Sequence, residues 1–578
     1  MPADNHLPTN TRLSVVLCWH MHQPEYRDRR TGIYQRPWTY LRAIKDYTDM
    51  AAHLEQTPSA HAVVNFTPIL LEQILDYASQ LDSYLKLDSA LNSSHTTALR
   101  DPLLAALAAP VFGQQPEQRQ QLLNTCANGH VHRFVGQHGI YGSMNDFVHD
   151  LTQHPERIRY VNDEFFSDLL VWYHLSWLGE TVRRDDPRVR HLLNKGQAFS
   201  AADRLTLLSV IGEQIAAIIP RYRALADTPR VELAMTPYAH PLAPLLIDLG
   251  SAHEATPGLP LPELATYPDG EQRLHWHIAA GQQLFEQCFG KSPVGCWPAE
   301  GAISDAVLTQ LDACGFQWTA SGAGVLSNSL NNSETLQSTE TALYHPYKIG
   351  QHTMSCFFRD DELSDLIGFT YSSWHGDDAV ANLIQRLESI ATRCRHEQDA
   401  VATIIMDGEN AWEHYPDNGF HFLRALYRRL ASHPKLNLTT FSNCRQNHLK
   451  ALPKITAGSW IYGNLTTWIG SPEKNRAWNM LIEAKQSFDR AIRENNLSEH
   501  QVDAAEKQLA VCEGSDWFWW PGDYNAKETV IAFDDLFRVQ LRTLYEIIAE
   551  PEPGYLAYPF TQSGHSGSSS GETMRKTQ

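Results

Sequence analysis

The sequence has no CxxC pair, no long hydrophobic run and a shortage of positive charge. Each lack excludes a class of protein. The nine cysteines, an odd number, are scattered from Cys18 to Cys512, which argues against a disulfide scaffold or a structural zinc site and for a reducing compartment. The N-terminus, MPADNHLPTNTR, precedes only the short apolar run Leu13–Trp19, with no basic segment leading a long apolar one. Neither a signal peptide nor a membrane span is expected, and the chain reads as cytoplasmic, with no membrane partner. Against 66 acidic residues stand 47 basic ones, a formal net charge of −19. A polyphosphate would meet repulsion, so nucleic acid is not an expected partner, whereas a neutral substrate is left open. No internal repeat is present.

What is there is a globular composition: 43% hydrophobic and 20% charged over 578 residues, enough for two or three structural units or one elaborated barrel. The 15 Trp and 22 Tyr admit two readings. They are either core residues or exposed rings suited to stacking on the C–H faces of sugars.

Short apolar runs alternate with helical patterns over most of the length. Leu13–Trp19 and Ala62–Phe66 read as buried strands, followed by helices over Thr39–Glu55 and Ile69–Leu81. Val231–Met235, Val294–Trp297, Phe316–Ala320, Ser355–Phe358 and Val401–Met406 repeat the theme. Continuous apolar strands separated by helices imply an α/β fold with a parallel sheet covered on both faces. Their number fits a closed or nearly closed barrel better than an open sheet. Glu473–Asn495, Glu499–Cys512 and Thr529–Ile548 carry helical spacing. The expected division is therefore a barrel with insertions over 1–445, a helical C-terminal subdomain over 446–555 and a tail over 556–578. From Ser563 that tail is Ser/Gly-rich and is expected to be disordered.

In βα architectures the loops after the strands converge on one face, so strand ends are where chemistry is sought. Trp19 is followed by His20-Met21-His22-Gln23-Pro24, and Met235 by Thr236-Pro237-Tyr238-Ala239-His240-Pro241. Trp297 leads into Pro298-Ala299-Glu300-Gly301, and Met406 into Asp407-Gly408-Glu409-Asn410-Ala411-Trp412-Glu413. Cleaving a glycoside takes two carboxyl groups, one attacking the anomeric carbon and one protonating the leaving oxygen. Glu300 and Asp407 can meet only if the fold brings two strand ends together. Taken singly, each also suits the acidic first turn of a helix. His20 and His22, alternate residues on an extended segment, are half a zinc site, a sugar contact or packing, and the spacing leaves all three open. His240 is a loop histidine between Pro237 and Pro241. The run Asp516-Trp517-Phe518-Trp519-Trp520-Pro521-Gly522-Asp523 has too many rings for one amphipathic face to bury, so it forms either a cleft wall or a plug between helices and barrel.

Together these clusters resemble glycoside hydrolase family 57. WHMHQP (Trp19–Pro24), TPYAHPLAPLL (Thr236–Leu246), GCWPAEGAIS (Gly295–Ser304) and IIMDGENAWE (Ile404–Glu413) look like its first four regions, in order. FFRDDELSDLIGF (Phe357–Phe369) and GSDWFWWPGD (Gly514–Asp523) are similar to segments of its amylopullulanase and α-amylase members. The resemblance implies an incomplete (β/α)7 TIM-like barrel followed by a helical region that helps close the cleft. It also implies retaining cleavage of α-1,4 and sometimes α-1,6 bonds in α-glucan oligo- or polysaccharides, with Glu300 as nucleophile and Asp407 as acid/base. His20, His22, His240, Trp297, Glu409 and Trp412 would line the subsites, as would Trp517 and Trp520; no cofactor or metal is implied. The pKa of Asp407 would have to be raised, by burial and by Glu409 and Glu300.

Three other readings compete. A 4-α-glucanotransferase or branching enzyme would use the same intermediate and intercept it with a sugar hydroxyl. A metal-dependent deacetylase or α-mannosidase would need an aspartate beside His20 and His22, which WHMHQP does not supply. A non-catalytic glucan-binding protein would keep the aromatic cleft, but here both carboxyls are present.

Overall fold

Seven buried strands carry the architecture: β1 (Leu13–Met21), β2 (Ala62–Phe66), β3 (Val231–Met235), β4 (Gly295–Cys296), β5 (Trp318–Gly322), β6 (Ser355–Arg359) and β7 (Val401–Asp407). The computed structural model describes residues 12–89, 99–113, 115–127, 139–333, 339–445, 448–494 and 497–562. The strands pair in parallel in the order β7-β1-β2-β3-β4-β5-β6. Between β6 and β7 the ladder is interrupted. That seam is crossed by Asp360 N–H donating to Thr403 O at 2.8 Å and by the Arg359 Nε donating to Ile405 O at 2.7 Å.

Strand residues alternate between faces, and the alternation sorts them into two cores. Val16 and Cys18 of β1, Val63 of β2, Ala234 of β3, Trp318 and Ala320 of β5, Phe357 of β6 and Val401 and Ile405 of β7 form one small cluster. Their neighbours Val15, Leu17, Trp19, Val64, Phe358, Ile404 and Met406 belong to a much larger cluster under the helices. A sheet with an inner core of its own and an outer face covered by helices is a barrel-like layer, consistent with the expected α/β class.

Element boundaries differ from the sequence reading where particular residues intervene. β4 is two residues long because Pro298 ends the ladder and Gly295 lies flat against Trp318, whose ring would stand 1.8 Å from a Cβ at position 295. The helix expected over Thr39–Glu55 is broken by a π-helical turn, Ala43–Tyr47, with all five side chains buried. The three C-terminal helices span Pro472–Glu494, Glu499–Cys512 and Lys527–Ile547, near the expected positions. The tail does not begin at 556. Leu556 is buried, and the Thr561 N–H and hydroxyl both donate to Asp534. Ser563–Gln578, expected to be disordered, lie outside the described residues. Among the described residues no helix is long and apolar enough to cross a membrane, and all nine cysteines are free thiols.

One buried polar knot joins the C-terminal helices to the barrel. Glu513 accepts from Arg273 Nε at 2.8 Å, from Arg273 Nη2 at 2.9 Å and from His277 Nε2 at 2.7 Å, and from the Tyr267 hydroxyl. Burial alone would raise this carboxyl, but Arg273 and His277 overcome it and hold Glu513 down at about 2. A pKa depressed on folding stabilises above the unfolded value and is lost as pH falls toward the folded one. Glu513→Gln, which strands a buried guanidinium, should cost about 3–5 kcal/mol at neutral pH. The difference in melting temperature from the wild type should shrink as pH falls from the ordinary 4.5 toward 2. A difference that stays constant over that range would show that the charge of Glu513 is not what stabilises.

Candidate active site

The inward-facing parity that builds the inner core continues past it to the strand ends. After Val16 and Cys18 the next inward residue of β1 is His20; after Val63, Asn65; after Phe357, Arg359; after Ile405, Asp407. His20 is the register partner of both Asn65 and Asp407. These side chains open into a cleft of about 780 Å³, within the range of small-ligand sites. His20, His22, His240, Glu300, Asp407 and Glu409 line its polar part, and Trp38, Trp460, Trp519 and Trp520 its aromatic walls.

Glu300 sits in the tight turn Ala299–Gly301 with φ 59°, in the left-handed region that a non-glycine residue occupies at a cost of about 1–3 kcal/mol. The turn is fixed from both sides. Trp460 N–H donates to Glu300 O at 3.0 Å, and Trp297 lies under Gly301, where a Cβ would come within 2.6 Å of its ring. The same Trp460 donates its indole N–H to Glu300 Oε2 at 3.1 Å, and the Ser515 hydroxyl reaches Oε1 at 3.3 Å. Asp407, the last residue of β7, accepts from Asn410 Nδ2 at 2.9 Å.

Burial, then the charges of Asp407 and Asp516, push Glu300 up to about 8. Asp407 is also raised, by burial, against the lowering effects of the Asn410 hydrogen bond, His22, Arg359 and Arg42. The expected rise at Asp407 is present, but its cause is burial; the repulsion within the cluster is felt at Glu300 and Glu409. Two facing carboxyls with raised pKa values titrate as a pair and hold one proton between them near neutrality.

Behind the pair runs a hydrogen-bonded line of neutral groups. Asn65 Oδ1 lies 2.7 Å from His20 Nδ1, His20 Nε2 3.1 Å from His240 Nε2, and His240 Nδ1 2.8 Å from Ser515 Oγ. Burial, aided by the neighbouring rings, lowers His20 to about 3 and His240 well below its ordinary value, so neither carries charge beside Glu300. His240 is also left-handed, with φ 60°. His22 stacks on His240 with ring centroids 3.7 Å apart and meets Asp516 at 3.0 Å through Nε2.

His22, His240 and Asp516 bring one ligand atom each within 4.8 Å of one another, so the aspartate missing from WHMHQP arrives from nearly 500 residues away. The trio nevertheless fits a zinc ion poorly. Imidazole lone pairs lie in the ring plane, and two planes stacked at 13° point them side by side rather than toward a shared ion.

Of the residues expected to line the site, His20, His22, His240, Glu300, Asp407, Glu409 and Trp520 are on the cleft, while Trp297, Trp412 and Trp517 are not. Those three are buried supports. Trp297 underlies the Glu300 turn. Trp412 donates to Gly408 O at 3.0 Å and packs edge-on to Trp19, bracing the turn after Asp407. Trp517 donates to Val511 O at 2.7 Å and stacks on Phe537. Glu409 accepts from Gln23 Nε2 at 3.1 Å and from the Tyr47 hydroxyl; burial lifts it to about 8, making it a neutral acid. Sequence reasoning did not select Asn65, Trp38, Asn410, Trp460, Ser515, Asp516 or Trp519. Asn65 had a signal, as the lone amide in the apolar strand AVVNF; Trp38 and Trp460 had none beyond being tryptophan.

Comparison with solved structures finds the same fold at low identity. A GH57-type branching enzyme from the archaeon Pyrococcus horikoshii is 14% identical, with 98% of each chain covered and a TM-score of 0.55. A GH57 branching enzyme from Thermococcus kodakaraensis, in complex with glucose, is 14% identical over 98% of this chain and 100% of its own, with a TM-score of 0.54. An α-amylase from Thermotoga maritima is 12% identical over 93% of this chain and 97% of its own, with a TM-score of 0.53. A comparison with curated protein sequences finds no match. The sequence model of glycosyl hydrolase family 57 matches residues 16–455, a span that holds both carboxyls, the three cleft histidines and all seven strands, and the chain belongs to that family.

Proposed function

We propose that the protein is a retaining glycoside hydrolase that cleaves α-glucosidic bonds in α-glucans, with Glu300 as nucleophile and Asp407 as general acid/base. The observation that carries this reading is the presence of both carboxyls, buried and sharing a proton, on one cleft. The working tautomer places that proton on Asp407 and leaves Glu300 ionised. Glu300 attacks C1 as Asp407 protonates the departing oxygen. Ester formation removes the charge of Glu300, and Asp407 then takes the proton of the incoming water. Neutral His20, His240 and Glu409 offer hydrogen bonds to sugar hydroxyls without competing for the charge that develops at C1. Trp38, Trp460, Trp519 and Trp520 supply aromatic faces for glucosyl rings. A neutral polysaccharide also suits a chain of net charge −19, and free thiols at every cysteine suit a reducing, cytoplasmic setting.

A second reading, 4-α-glucanosyl transfer or branching, uses the same intermediate. It is favoured by the names of two of the similar structures and by the apolar rings that narrow the cleft and limit access of water. In domain terms, we read the barrel as the catalytic unit and the helices after residue 445 as its lid, since these bring Ser515, Asp516, Trp519 and Trp520 to the cleft.

Three outcomes are expected. Glu300→Gln and Asp407→Asn should each lower kcat/KM on maltoheptaose by about 10²–10⁴-fold or more while the protein still folds, with products of the wild type keeping the α configuration; wild-type activity in either variant removes that residue from the chemistry. Asp516→Asn takes a negative charge from beside Glu300, so the pH–rate profile should move to lower pH. A shift to higher pH would contradict the electrostatics described. Treatment with a chelator should leave turnover intact, and loss of activity that zinc restores would revive the trio His22, His240 and Asp516 as a metal site.

A further inference from the structure

Asp407 is the partition between two cavities. Asp407, Asn410 and Trp460 line the cleft described above and also a second pocket of about 440 Å³, which Glu300 does not reach. The reaction gives this asymmetry a meaning. The nucleophile touches only the sugar whose C1 is attacked, whereas the acid/base touches the oxygen joining that sugar to the next. A pocket that shares the acid/base and excludes the nucleophile therefore lies on the leaving-group side.

We propose that this second pocket is the acceptor subsite, which holds the glucosyl unit released in the first step and the hydroxyl-bearing sugar that enters in the second. The proposal rests on the retaining reading given above. In the first step the C1–O bond breaks, the proton of Asp407 passes to the leaving oxygen, and Glu300 forms the ester. In the second, an acceptor hydroxyl gives its proton to the Asp407 carboxylate, its oxygen bonds to C1, and the Glu300 carboxylate is released.

The lining suits a sugar ring. Phe369, 37% exposed, presents an aromatic face, and Ser364, His414 and Arg359 supply polar edges around it. The Arg359 guanidinium is fixed by Asp365 at 2.9 Å and lies 5.3 Å from the Trp460 ring centre. Phe369 belongs to a π-helical turn, Leu366–Thr370, and Tyr415 ties that turn to the opposite wall by donating to Ile367 O at 2.6 Å. The gap between the two walls is thus built rather than incidental. The pocket would set chain-length preference, and the balance between water and sugar as acceptor.

Gly368 allows a clean test. It lines the pocket, and a Cβ added there meets nothing within 4 Å, so Gly368→Leu projects into the pocket without displacing packed atoms. Wild type and variant are compared on maltoheptaose, whose leaving group is a glucan chain, and on α-maltosyl fluoride, whose leaving group needs neither proton nor pocket. The ratio of kcat/KM on maltoheptaose to that on the fluoride should fall at least tenfold in Gly368→Leu. Phe369→Ala, which truncates the wall instead of filling the space, should lower the ratio in the same sense and guards against a folding defect in the first variant. A ratio equal to that of the wild type in both variants, or an equal loss on both substrates, would overturn the assignment. Wild-type protein inert toward the fluoride would instead overturn the retaining α-glucan reading, and the acceptor subsite with it.

Discussion

Two carboxylates that face each other out of water cannot both be ionised, and the rest of this site is arranged around that constraint. A single proton has to be kept on Asp407 and off Glu300 when substrate arrives. The protein meets this with donors rather than with cations. Trp460 and Ser515 hold the two oxygens of Glu300, Asn410 holds Asp407, and the histidines beside them are stripped of charge by burial. A cation next to Glu300 would fix its ionisation permanently. Neutral donors leave it free to lose its charge to the ester and to regain it.

The geometry has two sources. Barrel parity delivers His20, Asn65 and Asp407 as inward residues of adjacent strands, so their relative positions are set by ladder hydrogen bonds and not by loops. Glu300 and His240 come instead from turns held in left-handed conformations. The C-terminal segment then locks those turns. Ser515 N–H donates to His240 O at 2.8 Å, Gly514 bridges to Pro241, and Trp460 is bonded to Glu300 through backbone and side chain alike. The helices after the barrel are therefore part of the catalytic apparatus, and the Glu513 knot that secures them also secures the nucleophile.

Much of this was legible in the sequence, for a physical reason. Buried parallel strands read as continuous apolar runs, so all seven could be located, and the polar cluster after each marks a strand end. Glu300, Asp407, His20, His22 and His240 follow from that rule together with the family resemblance. Tryptophan was misleading because ring count says nothing about exposure: Trp297, Trp412 and Trp517 sit next to catalytic residues in sequence yet serve as props beneath them, while Trp38 and Trp460 face the cleft from segments without a motif. Asp516 and Ser515 were hidden for another reason. Their role depends on a contact between segments more than 200 residues apart, which no local pattern encodes. The break in the first helix was also invisible, since a π-helical turn and an α-helix bury nearly the same face.

Whether Glu300 becomes covalently bonded to sugar is the point on which everything else turns. The direct measurement is to incubate the protein with 5-fluoro-α-glucosyl fluoride, which forms a slowly hydrolysed glycosyl–enzyme, and to locate the added mass by peptide mass spectrometry. The expected result is a single label on Glu300, absent from Glu300→Gln. A label on another carboxylate, or hydrolysis with inverted products and no label at all, would contradict the assignment of nucleophile and acid made here.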